Sequence, residues 1–357
     1  MKIPAWKREN PDGRAQTFPT YPKQEKHTPP VQAYAIVQRA APNSAEQHSM
    51  LALLTTLALV LVAPAPPGRV VALGDLHGDA AAAVTALTAA GLIDADLHWS
   101  GGDATLVQLG DVLDRGGEEF ALWGLLERLR LEARSAGGRV VTLLGNHEVL
   151  NALGKAATYV HPAGHAQFGD DRCAAFRPGG ALAARLADDF PVVAVVGDSV
   201  FAHASLPRGA TLGSLARLNA ETRAWLLGER PAGPPPLLLG GRDSPVWDRT
   251  FSAPGGEEPA ASDCEALRDT LRGLGASRLV VGHTPQTRVN GACGGAVWRC
   301  DTGCSRWVMC GPVEALEIQG GAVRVLRRGT AREAARDALL TAEDALAEPE
   351  CGEAFLN

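Results

Sequence analysis

The chain has 357 residues, 46% of them hydrophobic and 21% charged, which supplies a core for one large domain or two small ones and excludes a disordered chain. Lys and Arg number 34 against 40 Asp and Glu, for a formal net charge of -6, so the basic surface that sequence-independent nucleic-acid binding needs for counterion release is missing. Aromatic residues at 5% also leave few platforms on which single strands could stack.

Residues 1–66 read as an N-terminal extension. Residues 1–49 carry Pro4, Pro11, Pro19, Pro22, Pro29 and Pro30 and no apolar period. Residues 50–62, MLALLTTLALVLV, then form an apolar run that ends in APAPPG. The run falls short of the roughly 20 residues of a membrane span, which disfavours a membrane role for the mature domain. It resembles the apolar region of a signal peptide, although 49 residues precede it. Three readings stand open. Met50 starts a secreted or organelle-bound form, the whole of 1–66 is a targeting extension, or the run packs as a helix on a cytoplasmic protein. A folded domain is expected over 67–330, and 331–357 reads as a C-terminal tail with a solvated Ala/Glu/Asp/Arg-rich helix at 331–347.

Strand and helix signals alternate through the domain. Short apolar runs at 70–73, 106–109 and 140–144 read as strands buried on both faces. Helical stretches at 80–90 and 120–135 separate them, the second with Leu122, Leu125, Leu126 and Leu129 at helical spacing. Strand, helix, strand, helix, strand implies right-handed parallel crossovers, whose ligands bind beyond the carboxyl ends of the strands. Each of the three runs leads into Gly plus a polar residue able to bind metal: Gly74-Asp75, Gly110-Asp111 and Gly145-Asn146. A lone Asp at a strand end is more often a helix cap. Three in order, 36 and 35 positions apart, fit successive crossover units and are not explained by capping.

The first motif, GDLHG, offers Asp75 and His77. The second, GDVLDRG, offers Asp111, Asp114 and Arg115. The third, GNHE, offers Asn146, His147 and Glu148. Two later histidines, His203 in VFAH and His283 in VVGHT, also end apolar runs. Carboxylate and amide oxygens mixed with imidazoles suit Mn, Fe or Zn without any thiolate. A shared carboxylate between two such ions is the arrangement of two-metal hydrolysis.

These motifs resemble the metallophosphoesterase pattern, and GDxxDRG with GNHE resembles its phosphoprotein phosphatase branch. GNHEVLN, Arg172…PGGALA, VFAHASLP, SPVWDR, VVGHTPQ, CGGAVWRCD and DTGCS are similar to the Shewanella-like protein phosphatases. The resemblance covers about residues 68–320. It implies an α/β fold, a sandwich of two mixed β-sheets flanked by α-helices in α/β/β/α layers. It implies two divalent metal ions, Mn, Fe and/or Zn, with Asp75, His77 and Asp111 on the first and Asp111, Asn146, His203 and His283 on the second. A hydroxide bridging the ions would attack phosphorus. His147, oriented by Asp114, would be the general acid. Arg115 would grip the phosphoryl oxygens, with Arg242 the expected second clamp and Arg249 its rival. Glu148 and Asn151 are expected to fix their loop. The substrate class implied is a phosphorylated protein or a small phosphomonoester, on phosphotyrosine, phosphoserine or phosphothreonine.

Two departures from the family pattern stand out. His203 is followed by Ala204-Ser205 where the family usually has Gly-Gly, and Ser205 is expected to add a hydrogen bond near the site. Cys304 stands where the family commonly has Met, so its oxidation is expected to inhibit. The seven cysteines form no C-x-x-C pair, which argues against a zinc finger. Four of them, Cys293, Cys300, Cys304 and Cys310, lie close together in sequence. Small buried thiols in a reducing compartment are the first expectation, and a disulfide is the alternative. Three rival functions share parts of the pattern. A bis(5'-nucleosyl)-tetraphosphate hydrolase would differ at Asp114 and lack SPVW. A phosphodiesterase or nuclease of the same superfamily would usually carry His where Pro285 stands. A silent scaffold would have lost a ligand or His147.

Overall fold

The computed structural model describes residues 68–168 and 171–327. The apolar run at 50–62 and the helix expected at 331–347 lie outside the described residues. The first three apolar runs become β1 (Val70–Leu73), β2 (Thr105–Gln108) and β3 (Arg139–Thr142), joined by α1 (Ala80–Ala89) and α2 (Glu119–Ser135). The strands are parallel and in register, Val71 opposite Leu106 and Leu106 opposite Val140. Asp79 caps α1 by accepting the Ala82 N–H at 3.0 Å. α2 buries Leu122, Trp123, Leu126, Leu129 and Ala133, the stripe that a 3.6-residue period predicts.

Four helices follow: α3 (Asn146–Ala152), α4 (Pro162–Phe168), α5 (Arg172–Phe176) and α6 (Ala181–Asp189). The chain then builds β4 (Val193–Val196), β5 (Ser199–Ala202), α7 (Leu212–Leu226), α8 (Ala261–Gly273), β6 (Arg278–Val281), β7 (Asn290–Ala292) and β8 (Val297–Arg299). Last come β9 (Glu314–Gln319) and β10 (Ala322–Arg327), which return to the first sheet. Its order is β10-β9-β1-β2-β3, and that of the second sheet is β4-β5-β6-β8-β7. Both are mixed, because β9 and β10 pair antiparallel in the first and β4 and β7 do so in the second.

Alternate residues of one strand serve different layers. Val70, Ala72, Val107 and Val141 pack against Phe201, Val280 and Ala194 between the sheets. Val71, Leu73, Leu106 and Val140 face the other way, toward Leu87, Leu129 and Ala133 of α1 and α2. On the second sheet Val193, Val200, Leu279 and Val297 turn outward to residues of α6, α7 and α8 such as Leu186, Leu218 and Leu267. The result is the α/β/β/α sandwich. Phe201, fully buried between the sheets, contributes about 2 kcal/mol by removal from water and fixes the strand end that carries His203.

One sequence expectation is corrected here. Cys264 on α8 and Cys293, just after β7, are not thiols but a disulfide, with Cα atoms 5.3 Å apart across 29 residues. α8 runs beside the turn after β7, where Arg268 donates to the Cys293 carbonyl at 2.8 Å, and this makes the pair neighbours, which linear spacing does not reveal. Cys173, Cys300 and Cys304 are free thiols.

Candidate active site

Every ligand candidate lies just past the carboxyl end of a strand, or at the start of the helix that follows. Asp75 and His77 follow β1, Asp111 follows β2, Asn146 follows β3, His203 follows β5 and His283 follows β6. The turns are sharp. Asp111, Asp114, Arg115, His77 and His283 all have positive φ, between 43° and 72°. Such conformations cost energy in non-glycine residues and concentrate at functional sites. Gly110 also has a positive φ of 96°. Gly145 is different, because its φ is an ordinary -95°. There glycine is needed for space, since a Cβ would lie 2.2 Å from Asp111 Oδ1.

Glu148 holds this loop cluster from beneath. Its Oε2 accepts the N–H groups of Asp111 and Gly145 at 2.9 and 2.8 Å, and its Oε1 accepts those of Val112 and Leu113, both at 3.0 Å. All four donors face a fully buried carboxylate.

The structure brings Asp75, His77, Asp111, Asn146, His203 and His283 together around Asp111 Oδ2. His77 Nε2 lies 3.6 Å from it and His203 Nε2 3.4 Å. Asp75 Oδ2 is 4.0 Å from His77 Nε2. Asn146 Oδ1 lies 2.9 Å from His203 Nε2 and 3.0 Å from His283 Nδ1. All six are 6% exposed or less.

The imidazoles are oriented by backbone carbonyls. His203 Nδ1 meets the Leu109 carbonyl at 2.8 Å, His77 Nδ1 the Leu113 carbonyl at 3.0 Å, and His283 Nε2 the Trp247 carbonyl at 3.2 Å. A carbonyl only accepts, so each of these nitrogens carries the hydrogen and the other offers a lone pair. Those lone pairs point at Asn146 Oδ1 and Asp111 Oδ2, which are also acceptors. Acceptors converging at 2.9–3.6 Å in a buried site need a positive charge among them. The same acceptors favour a proton at this point as they would a cation. Burial alone would lower the His203 pKa, but Asp111 and Asp75 raise it to about 10. His77, pushed down to about 3 chiefly by burial and by His147, stays neutral as a ligand must. The donor set therefore fits a pair of divalent cations. His77, Asp111 and His147 cluster on one side, Asp111, His203 and His283 on the other, and Asp111 belongs to both groups.

His147 differs from these three in its anchor. Its Nδ1 faces not a carbonyl but the Asp114 carboxylate, at 2.8 Å. Burial would lower its pKa, yet Asp111 and the hydrogen-bonded Asp114 outweigh burial and raise it above the ordinary value. Its Nε2 lies 4.0 Å from Asp111 Oδ2, and the Asp114 anchor favours a proton on this imidazole. Arg115 lies alongside, its guanidinium 5.5 Å from the centre of the Tyr159 ring. Tyr159 in turn packs edge-on against His147 at 5.1 Å.

The two candidate second arginines differ in their contacts. Arg242 is exposed and ion-paired to Asp263 on α8. Arg249 Nη1 instead donates to Thr284 Oγ1 at 2.7 Å, beside His283, whose pKa its charge helps to depress after burial and His203. The fold carries SPVWDR back to the histidine cluster at Trp247 and Arg249, while Arg242 precedes that return.

The two departures at Ser205 and Cys304 also resolve. Ser205 Oγ is buried and has no hydrogen-bond partner among the described residues, so the expected hydrogen bond is missing. Cys304 Sγ sits 3.5 Å from the Asp75 carbonyl. Burial, with the charges of Asp301, Asp79 and Asp75, pushes its thiol far above the usual range. Oxidation proceeds through the thiolate, which these surroundings disfavour.

The sequence reading assigns no role to three residues of the site. Asp301, 2% exposed after β8, is a third carboxylate whose charge raises the pKa of Asp75, after burial. Glu119 and Arg172 form a buried ion pair behind Asp114. Only the motifs around Asp301 and Arg172 hinted at them, and nothing local marks Glu119.

Comparison with known proteins agrees with this geometry. Residues 68–287 match the calcineurin-like phosphoesterase family. The chain is similar to Shewanella-like protein phosphatase 2 of Arabidopsis thaliana, 37% identical over 300 residues that span 71% of this chain and 75% of the relative. It is also similar to Shewanella-like protein phosphatase 1 of Plasmodium berghei, 30% identical over 67% of each chain. Among solved structures it resembles the cold-active protein-tyrosine phosphatase of a psychrophilic Shewanella species. That match has a TM-score of 0.57 and 27% identity over 73% of this chain and 81% of the other.

Proposed function

The chain belongs to the Shewanella-like protein phosphatases of the calcineurin-like phosphoesterase family, and from that premise we propose that it hydrolyses phosphomonoesters on proteins through a two-metal site, with phosphotyrosine as the favoured ester. The observation that carries this is the division among the buried histidines. Three are anchored by carbonyls and present lone pairs to a common point, and the fourth is anchored by a carboxylate and keeps a proton.

Asp75, His77 and Asp111 would hold one divalent ion, and Asp111, Asn146, His203 and His283 the other. Mn, Fe and Zn all suit these donors. When bound, such ions supply the Lewis acidity that makes water nucleophilic near neutral pH. The rest falls to the protein. Arg115 grips two phosphoryl oxygens with its planar fork, and Arg249 is the second cation at the pocket. As water oxygen bonds to phosphorus, the bond to the ester oxygen breaks. His147 Nε2 gives that oxygen its proton, releasing tyrosine or an alcohol along with phosphate. Asp114 balances the imidazolium before transfer.

The preference for phosphotyrosine rests on the aromatic surroundings of Arg115. Tyr159 lies under its guanidinium, and His161 and Trp307, ring centres 5.8 Å apart, border Gly117 and Gly116 of the same loop. An aryl ester has ring surface to lay against such a wall, and a serine ester has none.

The test is turnover of phosphotyrosine and phosphothreonine peptides and of diadenosine tetraphosphate with Mn2+, beside calorimetric titration of Mn2+ into metal-free protein. Two bound ions and faster turnover of phosphopeptide than of tetraphosphate are expected, with both ion binding and turnover lost in Asp111→Asn. Faster hydrolysis of the tetraphosphate would refute the substrate class. Equal rates for the two peptides would refute the tyrosine preference.

A further inference from the structure

Asp114 does not hold His147 unaided. Its Oδ2 meets His147 Nδ1, and its Oδ1 accepts from Arg172 Nη2 and from Asn151 Nδ2, both at 3.0 Å. Its backbone N–H donates to Glu119 Oε1 at 2.7 Å. Arg172 spans the whole group. Its Nη1 and Nη2 donate to the two oxygens of Glu119 at 2.7 and 2.8 Å, and its Nε to Asn151 Oδ1 at 3.1 Å. Asp114 and Glu119 are fully buried and Arg172 is 5% exposed.

We propose that Arg172 is a positioning residue that aims the general acid, acting through Asp114. It follows from which oxygen is taken. With Oδ1 claimed twice from behind, only Oδ2 remains to face the imidazole, and the carboxyl plane cannot turn. Asn151 closes the ring by donating to the His147 carbonyl at 2.9 Å, so the ring and its backbone are held by one network. The Asp114 backbone, at a φ of 66°, is left-handed and needs such support. Glu119 compensates the arginine, so the fork can sit beside Asp114 without leaving a net positive charge there. Arg172 arrives 58 residues after Asp114 on α5. The segment between α3 and α5 also reaches the phosphate loop, where the Tyr159 carbonyl accepts the Arg115 N–H at 2.7 Å.

This rests on His147 being the acid, and the leaving-group dependence separates the two claims. A dinitrophenolate departs without a proton, and a serine alkoxide does not. In Arg172→Gln, kcat on a phosphoserine peptide should fall by roughly 100-fold, and on 2,4-dinitrophenyl phosphate by less than about threefold, with KM within about twofold on both. Metal content should match the wild type. Arg172→Lys keeps the charge but not the fork, so it should show the same selectivity at smaller size, and it serves if the Gln variant does not fold. His147→Asn calibrates the series. If its loss is the same for all leaving groups, the assignment of the acid fails. If its loss is selective while both Arg172 variants lose activity evenly or not at all, the positioning role fails.

Discussion

Replacing Glu148 by Gln changes one buried atom type and tests how the metal loops are held. In the wild type each carboxylate oxygen accepts two backbone N–H groups, four in all. An amide turns one of those oxygens into a donor. Whichever way it sits, two buried N–H groups lose their acceptor and face another N–H. An unsatisfied buried donor costs about 1–3 kcal/mol, so the pair costs about 2–6 kcal/mol. That is a large share of the roughly 5–15 kcal/mol that stabilises a typical domain. For a domain of this size it corresponds to a fall in Tm of about 4–24 °C. Asp111 N–H is one of the four, so this proposed bridging ligand should also shift. Outer contacts of this kind change metal affinity by about 10- to 100-fold. Urea unfolding of metal-free protein followed by circular dichroism measures the first effect, and Mn2+ titration the second. A Glu148→Gln variant within about 0.5 kcal/mol of wild type would refute the account of a carboxylate cradle.

Three further outcomes follow from particular contacts. Asp114→Asn should lower the His147 pKa, because a carboxylate that raises it is removed. The acid is active when protonated and is lost as pH rises through its pKa, so the basic limb of the kcat profile should move to lower pH; an unmoved limb would exclude His147 as the group observed. Arg249→Ala should raise KM or lower kcat at least about 10-fold in steady-state kinetics, while Arg242→Ala, whose partner is Asp263, stays within about twofold. Changing Cys264 and Cys293 together to Ser should reduce unfolding free energy by about 3.5 kcal/mol in urea, from the entropy of a 29-residue loop, and should leave Mn2+ affinity unaltered.

Much of this protein was legible along the chain. The period of the apolar residues marked β1, β2 and β3 and the helices between them, because a strand buried on both faces and an amphipathic crossover each leave a local pattern. The convergence of the six candidate ligand positions was legible for the same reason, since crossovers deliver each strand end to one edge and the motifs sit at those ends. Other features have no local signature. The Cys264–Cys293 bond, the Glu119–Arg172 pair behind Asp114 and the choice of Arg249 over Arg242 join residues from 29 to 53 positions apart, or separate two that are close in sequence. Sequence chose the donor atoms. Only the folded chain decided which nitrogen of each histidine faces inward, because that depends on a carbonyl or carboxylate supplied by another part of the molecule.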